Sequence, residues 1–269
     1  MSHPRLSVNE ICTWTVPLAE ELPLWEELGI RHVGVMAAKI DAYGRDAAIA
    51  AFAKQSLTAV TVITANFDLS APETWDRTRA AIASGVDLAA EIGGCVYFTP
   101  GRRDGWRSFD DLTDALAAAV APSIEYAASH GARLAIEPSR RTDQSFVHTL
   151  RDGLDVCERT GLGIVADLGN CWTERDYEST LRRAGPYLAA VQICDALYGT
   201  REQSSPGGRV VPGDGDLDLA GFVTAALDAD WTGPFELELV GPRIDAEGAV
   251  PATRRAVEQT SEILERVLG

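Results

Sequence analysis

Eight short apolar runs alternate with eight helix-type stretches along the chain, and this rhythm limits the fold more than any other feature. The strand candidates are Glu10–Trp14, His32–Ala37, Ala59–Thr64, Cys95–Thr99, Arg133–Glu137, Gly163–Asp167, Ala189–Cys194 and Phe235–Val240. Helical stretches follow at 17–28, 43–54, 72–92, 108–130, 147–160, 175–184, 217–229 and 251–268, with the spacing seen in Leu112, Ala115, Leu116 and Ala119. Ser70-x-x-Glu73 with Pro72 reads as a capping box, Gly131, Gly161 and Gly185 as helix stops, and Asp216 as a helix cap. Eight β-α units in 269 residues match one α/β domain, a (β/α)8 TIM barrel spanning residues 1–269. A doubly wound sheet is the competitor. It typically has fewer strands, and no Gly-x-Gly-x-x-Gly follows the first run, so no nucleotide cofactor is expected.

Chemistry in such a barrel resides at the carboxyl ends of the strands. Four oxygen-bearing side chains fall there: Glu137, Asp167, Gln192 and Glu238. Strand parity turns them inward. Glu137 shares a face with Ala135, Gln192 stands between Val191 and Ile193, and Glu238 lies on the face of Glu236, opposite Leu237 and Leu239. Any one of these residues is as readily a helix cap or an arginine partner. Together they place three carboxylates in one small space, which demands a compensating cation. Three carboxylates and an amide oxygen make a hard ligand set, suited to one Mn²⁺ or Mg²⁺ ion, with Co²⁺ a further candidate. No His or Cys falls in the set, which weighs against Zn²⁺.

The net charge of −16, from 40 acidic against 24 basic residues, repels phosphate backbones and argues against a nucleic-acid partner. No apolar run nears the roughly 20 residues needed to span a bilayer, so no membrane partner is expected. The five cysteines stand apart with no Cys-x-x-Cys pair, and the N-terminus has no secretory h-region. A cytoplasmic protein with free thiols is the expectation.

The segments Ala135-Ile-Glu-Pro, Asp167-x-x-Asn170-x-Trp172, Val191-Gln-Ile-Cys-Asp195, Arg209-x-x-Pro-Gly-Asp-Gly-Asp216 and Gly233-Pro-x-x-x-Glu238 resemble the xylose isomerase-like sugar phosphate isomerase/epimerase superfamily. The resemblance spans most of the chain. It implies that Glu137, Asp167, Gln192 and Glu238 bind one divalent ion. A Gln at the third position looks like the hydroxypyruvate isomerases and 3-dehydroshikimate dehydratases of that superfamily. The departure is Asn170, where the family often has a His that touches substrate or relays protons. This places the dehydratase type of chemistry in doubt.

Other residues near the strand ends are open to two readings. The resemblance implies that Arg209 contacts substrate oxygens, and a guanidinium fork suits a carboxylate, phosphate or diol; a surface arginine paired with nearby acids is the alternative. Lys39, one of only two lysines, is a substrate contact or a solvated side chain. Trp14 and Trp172 are walls over a substrate or rim packing, and Asn170 sits close enough to join them in substrate binding. Glu236 is a partner of the metal ligands or an acid paired with Arg133. His148 reads as a solvated helix-start residue.

Three functions compete. The first is a metal-dependent isomerase or epimerase acting on a sugar, keto-sugar or related hydroxy-carbonyl compound. Glu137 and Glu238 would be the catalytic bases, moving a proton through a metal-stabilised enediolate. The second is a lyase or dehydratase eliminating β to a carbonyl on the same site. The third is a non-catalytic polyol-binding barrel. Barrels of this kind often pair, so a homo-oligomer stays open.

Overall fold

Leu6, Ser7, Val8 and Asn9 alternate apolar and polar, and in the computed structural model this quartet forms the first strand in place of Glu10–Trp14. The structure describes residues 2–198 and 208–269. Asn9 ends the strand because its side chain accepts from Ile11 N at 2.9 Å, and the cap turns Glu10–Thr13 into a 3₁₀ helix. Cys12 therefore follows the strand and does not lie in it.

Strands β1 (Leu6–Asn9), β2 (His32–Met36), β3 (Thr58–Ile63), β4 (Cys95–Phe98), β5 (Leu134–Ile136), β6 (Gly163–Asp167) and β7 (Leu188–Ile193) run parallel around a barrel. Two short strands, β8 (Asp195–Ala196) and β9 (Arg209–Val210), pair antiparallel as a separate hairpin, and β10 (Phe235–Leu237) closes the barrel against β7 and β1. The expected (β/α)8 TIM barrel is the observed fold.

The surrounding helices are α1 (Leu18–Leu28), α2 (Ala37–Tyr43), α3 (Arg45–Gln55), α4 (Trp75–Ile92), α5 (Phe109–Ser129) and α6 (Leu150–Thr160). They continue with α7 (Leu168–Cys171), α8 (Tyr177–Ala184), α9 (Leu219–Leu227), α10 (Pro242–Glu247) and α11 (Ala249–Leu268). Several local details differ from the sequence reading. Ser70 forms no capping box: its N and Oγ bind Asp68 Oδ1, and Pro72 opens a 3₁₀ turn ahead of α4. The capping box belongs instead to Ser108 and Asp111 at α5. Asp218 caps α9, while Asp216 accepts from Tyr198 N at 2.9 Å. Gly185 continues into a 3₁₀ turn with ordinary φ, whereas Gly131 and Gly161 take the left-handed conformation at helix ends.

Parity holds around the wall. Leu134, Ile136, Ile164, Ala166, Val191, Ile193, Phe235 and Leu237 pack outward against the helices, each such burial worth ~1.5–3 kcal/mol for a large side chain. Cys95, Tyr97, Ala135, Val165 and Ala190 form a separate apolar cluster on the other face of the wall. Buried Ser7, Asn9, Thr61, Gln192 and Glu236 form a hydrogen-bonded polar group on β1, β3, β7 and β10.

Candidate metal centre

The closed wall brings three of the four strand-end residues to one point. Glu137 follows β5, its N–H donating to Phe98 O at 3.1 Å; Asp167 ends β6; Glu238 follows β10, its N–H donating to Ile193 O at 3.1 Å. One carboxylate oxygen from each lies within 4.8 Å of the others, and all three side chains are buried. Asp167 also accepts from Gly169 N at 2.9 Å through Oδ1 and so starts α7.

Arg209 is the cation these acids share. Its Nη2 donates to Asp167 Oδ2, and its Nη1 donates to Glu238 Oε1 at 3.1 Å and to the Glu238 carbonyl at 3.0 Å. It is buried, and it reaches the site from the β8–β9 hairpin, so the reading of a surface arginine is set aside. Asp195 shapes the chain after Arg209, accepting from Gly213 N, Gly215 N and Leu217 N at 2.9, 3.0 and 3.1 Å. Gly169 leaves room for the guanidinium: a Cβ there would lie 2.8 Å from Arg209 Cζ and 2.7 Å from Cys194 Sγ.

Three carboxylates against one contacting guanidinium leave two negative charges uncompensated if all are ionised. Two of the acids, Glu137 and Glu238, are shifted toward their protonated forms. Burial, then the charges of Glu238 and Asp167, push Glu137 well above the usual carboxylate range. Burial raises Glu238 to about 8 against the opposing pull of Arg209. Burial works against the charge on Arg209, but Asp167 and Glu238 beside it keep the guanidinium protonated.

The donor inventory fits a divalent cation. Gln192 Oε1 and Glu238 Oε2 are buried acceptors with no hydrogen-bond partner among the described residues, a costly arrangement unless something electropositive meets them. Gln192 turns its Nε2 away from that role, donating to Glu236 Oε1 at 3.0 Å and Tyr97 Oη at 3.3 Å. Asn170, on α7, donates Nδ2 to Glu137 Oε1 and Asp167 Oδ2, both at 2.8 Å. An amide there orients two acids but cannot relay a proton as an imidazole would.

Glu236 lies on β10, two residues before Glu238. Its oxygens accept from Ser7, Asn9, Thr61 and Gln192, at 3.3, 2.9, 3.0 and 3.0 Å. Burial raises its pKa, and the bonds from Gln192, Asn9, Thr61 and Ser7 pull it back. Gly34 makes space for the cluster, since a Cβ would come within 2.4 Å of both Glu236 Oε2 and Asn9 Nδ2. Arg133 is not its partner; that guanidinium donates to the carbonyls of Leu188 and Pro186.

Lys39 is neither solvated nor bonded to the acid trio. It pairs with Glu21 at 2.6 Å and Glu10 at 3.9 Å and donates to Thr13 O at 3.3 Å. Burial and then the charge of Glu21 raise Glu10 to about 8. Trp14 is exposed beside the same 3₁₀ turn. Trp172 is half-buried, with the Arg140 guanidinium 5.2 Å over its ring and the Tyr198 ring 5.1 Å away. His148 is partly buried, its Nδ1 2.9 Å from Ser139 O.

Sequence reasoning missed Asn9 and Thr61 around Glu236, Tyr97 beside Gln192, and the Glu10–Glu21 pair that holds Lys39. The signal for Asn9 was the period-two alternation of Leu6–Asn9, masked by the more apolar run that follows. Tyr97 and Thr61 were hidden among apolar neighbours whose parity alone marks them as inward.

Residues 22–265 match the sequence profile of the "Xylose isomerase-like TIM barrel" family. No curated protein matches the chain. Among solved structures, protein SMc04130 from Sinorhizobium meliloti 1021 is 26% identical, with 98% of each chain covered and a TM-score of 0.83. The IOLI protein, whose structure is described with a binding zinc atom, is 17% identical over 98% of this chain and 99% of its own, with a TM-score of 0.85. The 3-keto-D-glucoside 4-epimerase YcjR from E. coli is 16% identical over 97% of this chain and 99% of its own, with a TM-score of 0.76.

Proposed function

Starting from a chain that belongs to the xylose isomerase-like TIM barrel family, we propose a divalent-metal-dependent isomerase or epimerase acting on a sugar, keto-sugar or related hydroxy-carbonyl compound. One observation carries this reading: three buried carboxylates converge, Glu238 Oε2 and the neighbouring Gln192 Oε1 have no partner among the described residues, and a single guanidinium among those residues is in contact. Glu137, Asp167, Gln192 and Glu238 would hold the ion. When bound, it supplies Lewis-acid stabilisation of negative charge on a substrate oxygen.

The protein's own groups handle the proton. Glu137 and Glu238 come from strands on different sides of the barrel and approach a substrate carbon from two directions. One removes a proton from the carbon next to the carbonyl, and the other returns it to the neighbouring carbon or the opposite face. Asn170 keeps Glu137 and Asp167 oriented without taking part in transfer. Arg209 holds Asp167 and Glu238 and keeps a buried Nε–H that lacks an acceptor among the described residues, a donor suited to a substrate oxygen. Trp14, Trp172 and Lys39 take a supporting place at the rim. The similarity to a protein named as a keto-glucoside epimerase favours keto-sugars in a first trial, and the zinc described for another adds Zn²⁺ to Mn²⁺, Mg²⁺ and Co²⁺ as ions to test.

The test is a panel of keto-sugars, aldoses and hydroxy-keto acids incubated with each ion in D₂O. Isomeric products carrying one deuterium at the carbon next to the carbonyl are expected. A product lighter by water or by an aglycone would replace this reading with a lyase. Ion binding without turnover of any member would sink the proposed reaction.

A further inference from the structure

An amide side chain has nearly the same shape in both of its flipped orientations, so sterics do not decide which end of Gln192 faces the acid trio. Its surroundings do. Nε2 has two acceptors outside the trio, Glu236 Oε1 at 3.0 Å and Tyr97 Oη at 3.3 Å, and these use both of its hydrogens. Flipping the amide would set Gln192 Oε1 against the Glu236 carboxylate, acceptor to acceptor. Glu236 cannot turn aside, because Ser7, Asn9 and Thr61 donate to it from β1 and β3. The juxtaposition is built into the sheet: Glu236 and Gln192 are register partners between β10 and β7.

We infer that Glu236 is a positioning residue that fixes the Gln192 amide with Oε1 facing Glu137, Asp167 and Glu238, turning an ambivalent side chain into an oxygen ligand. The arrangement corresponds to a carboxylate orienting a metal-bound imidazole, with an amide in the imidazole's place. Glu236 itself stays off the ion, saturated by neutral donors. This inference rests on the metal-site reading above.

The test measures Mn²⁺ affinity by calorimetry for the unaltered protein and for Glu236→Gln. The variant keeps side-chain shape but supplies both a donor and an acceptor, so Gln192 can sit either way. Affinity is expected to fall roughly 10- to 100-fold while the metal-free thermal midpoint stays close to that of the unaltered protein. Loss of charge alone could also weaken binding, so a second readout is needed. In the unaltered protein with Mg²⁺, the Gln192 side-chain NH₂ pair in ¹⁵N spectra, identified by its disappearance in Gln192→Leu, should stay protected from exchange while its ¹³Cδ resonance shifts.

Unchanged affinity in Glu236→Gln would overturn the inference alone. So would an unshifted Cδ or a deprotected NH₂ pair, even if the variant does not fold. Failure of the unaltered protein to bind any divalent ion would overturn the metal reading and this inference with it.

Discussion

Glu236 on β10 and Glu238 just past its end share one inward face, yet their surroundings differ at every contact. Glu236 is ringed by the side chains of Ser7, Asn9, Thr61 and Gln192, all neutral donors. Glu238 stands among Asp167, Glu137 and Arg209, with one oxygen bound to the guanidinium and the other without a partner among the described residues. A carboxylate saturated by neutral donors is a fixed part of the barrel. A carboxylate left with a bare oxygen among other acids is poised for something not yet there. Two residues of rise separate the two conditions, and the lower one disciplines the ligands of the upper one through Gln192.

That contrast can be broken by mutation. Glu238→Gln or Glu137→Gln should lower kcat by on the order of 10²- to 10⁴-fold with circular dichroism unchanged. Glu236→Leu should act chiefly on stability, because it strands four buried donors; a loss on the order of 3 kcal/mol is expected in urea unfolding. The opposite pattern, with stability lost in Glu238→Gln and fully kept in Glu236→Leu, would reverse the assignment of roles.

The contrast can be sharpened by pH. In the metal-free protein Glu238 titrates near 8 and Glu137 above the carboxylate range, so below pH 8 an entering cation must displace protons. Ion affinity should therefore rise with pH between 6 and 8, by about tenfold per unit for each proton displaced. Calorimetry in buffers of different ionisation enthalpy should show proton release that diminishes over the same interval. A flat affinity would mean the trio is already ionised.

The smallest expected effect lies beside the mouth. Glu10 is buried against Glu21 and near Lys39, with its pKa raised to about 8 from 4.5. The folded state therefore binds a proton more tightly than the unfolded chain. Its contribution is fully present below pH 4.5 and is lost as pH rises toward 8. Glu10→Gln should flatten this decline in the thermal midpoint, and an equally steep decline in the variant would remove Glu10 from the account.

Much of this was legible in the chain. Strand parity placed Glu137, Gln192 and Glu238 on the inner face because apolar residues flank each of them, and burial sorts those neighbours outward. The roles of Arg209 and Lys39 were not legible. Arg209 reaches Asp167 and Glu238 from a hairpin whose pairing has no periodic signature, only two residues on each side. Lys39 turns to Glu21 on α1, a contact between elements that periodicity cannot foresee. The first strand was misplaced because an asparagine cap overrode the apolar character of Ile11, Cys12 and Trp14. With it went Asn9, and with Asn9 the donor set that makes Glu236 different from Glu238.

The central claim is that Glu137, Asp167, Gln192 and Glu238 together hold one divalent ion. Calorimetric titration of Mn²⁺ into the chelator-treated protein and into Asp167→Asn tests it most directly. One ion per chain for the unaltered protein and at least a hundredfold weaker binding for the variant, on the order of 3 kcal/mol, are predicted. No binding, or equal binding by both proteins, would contradict it.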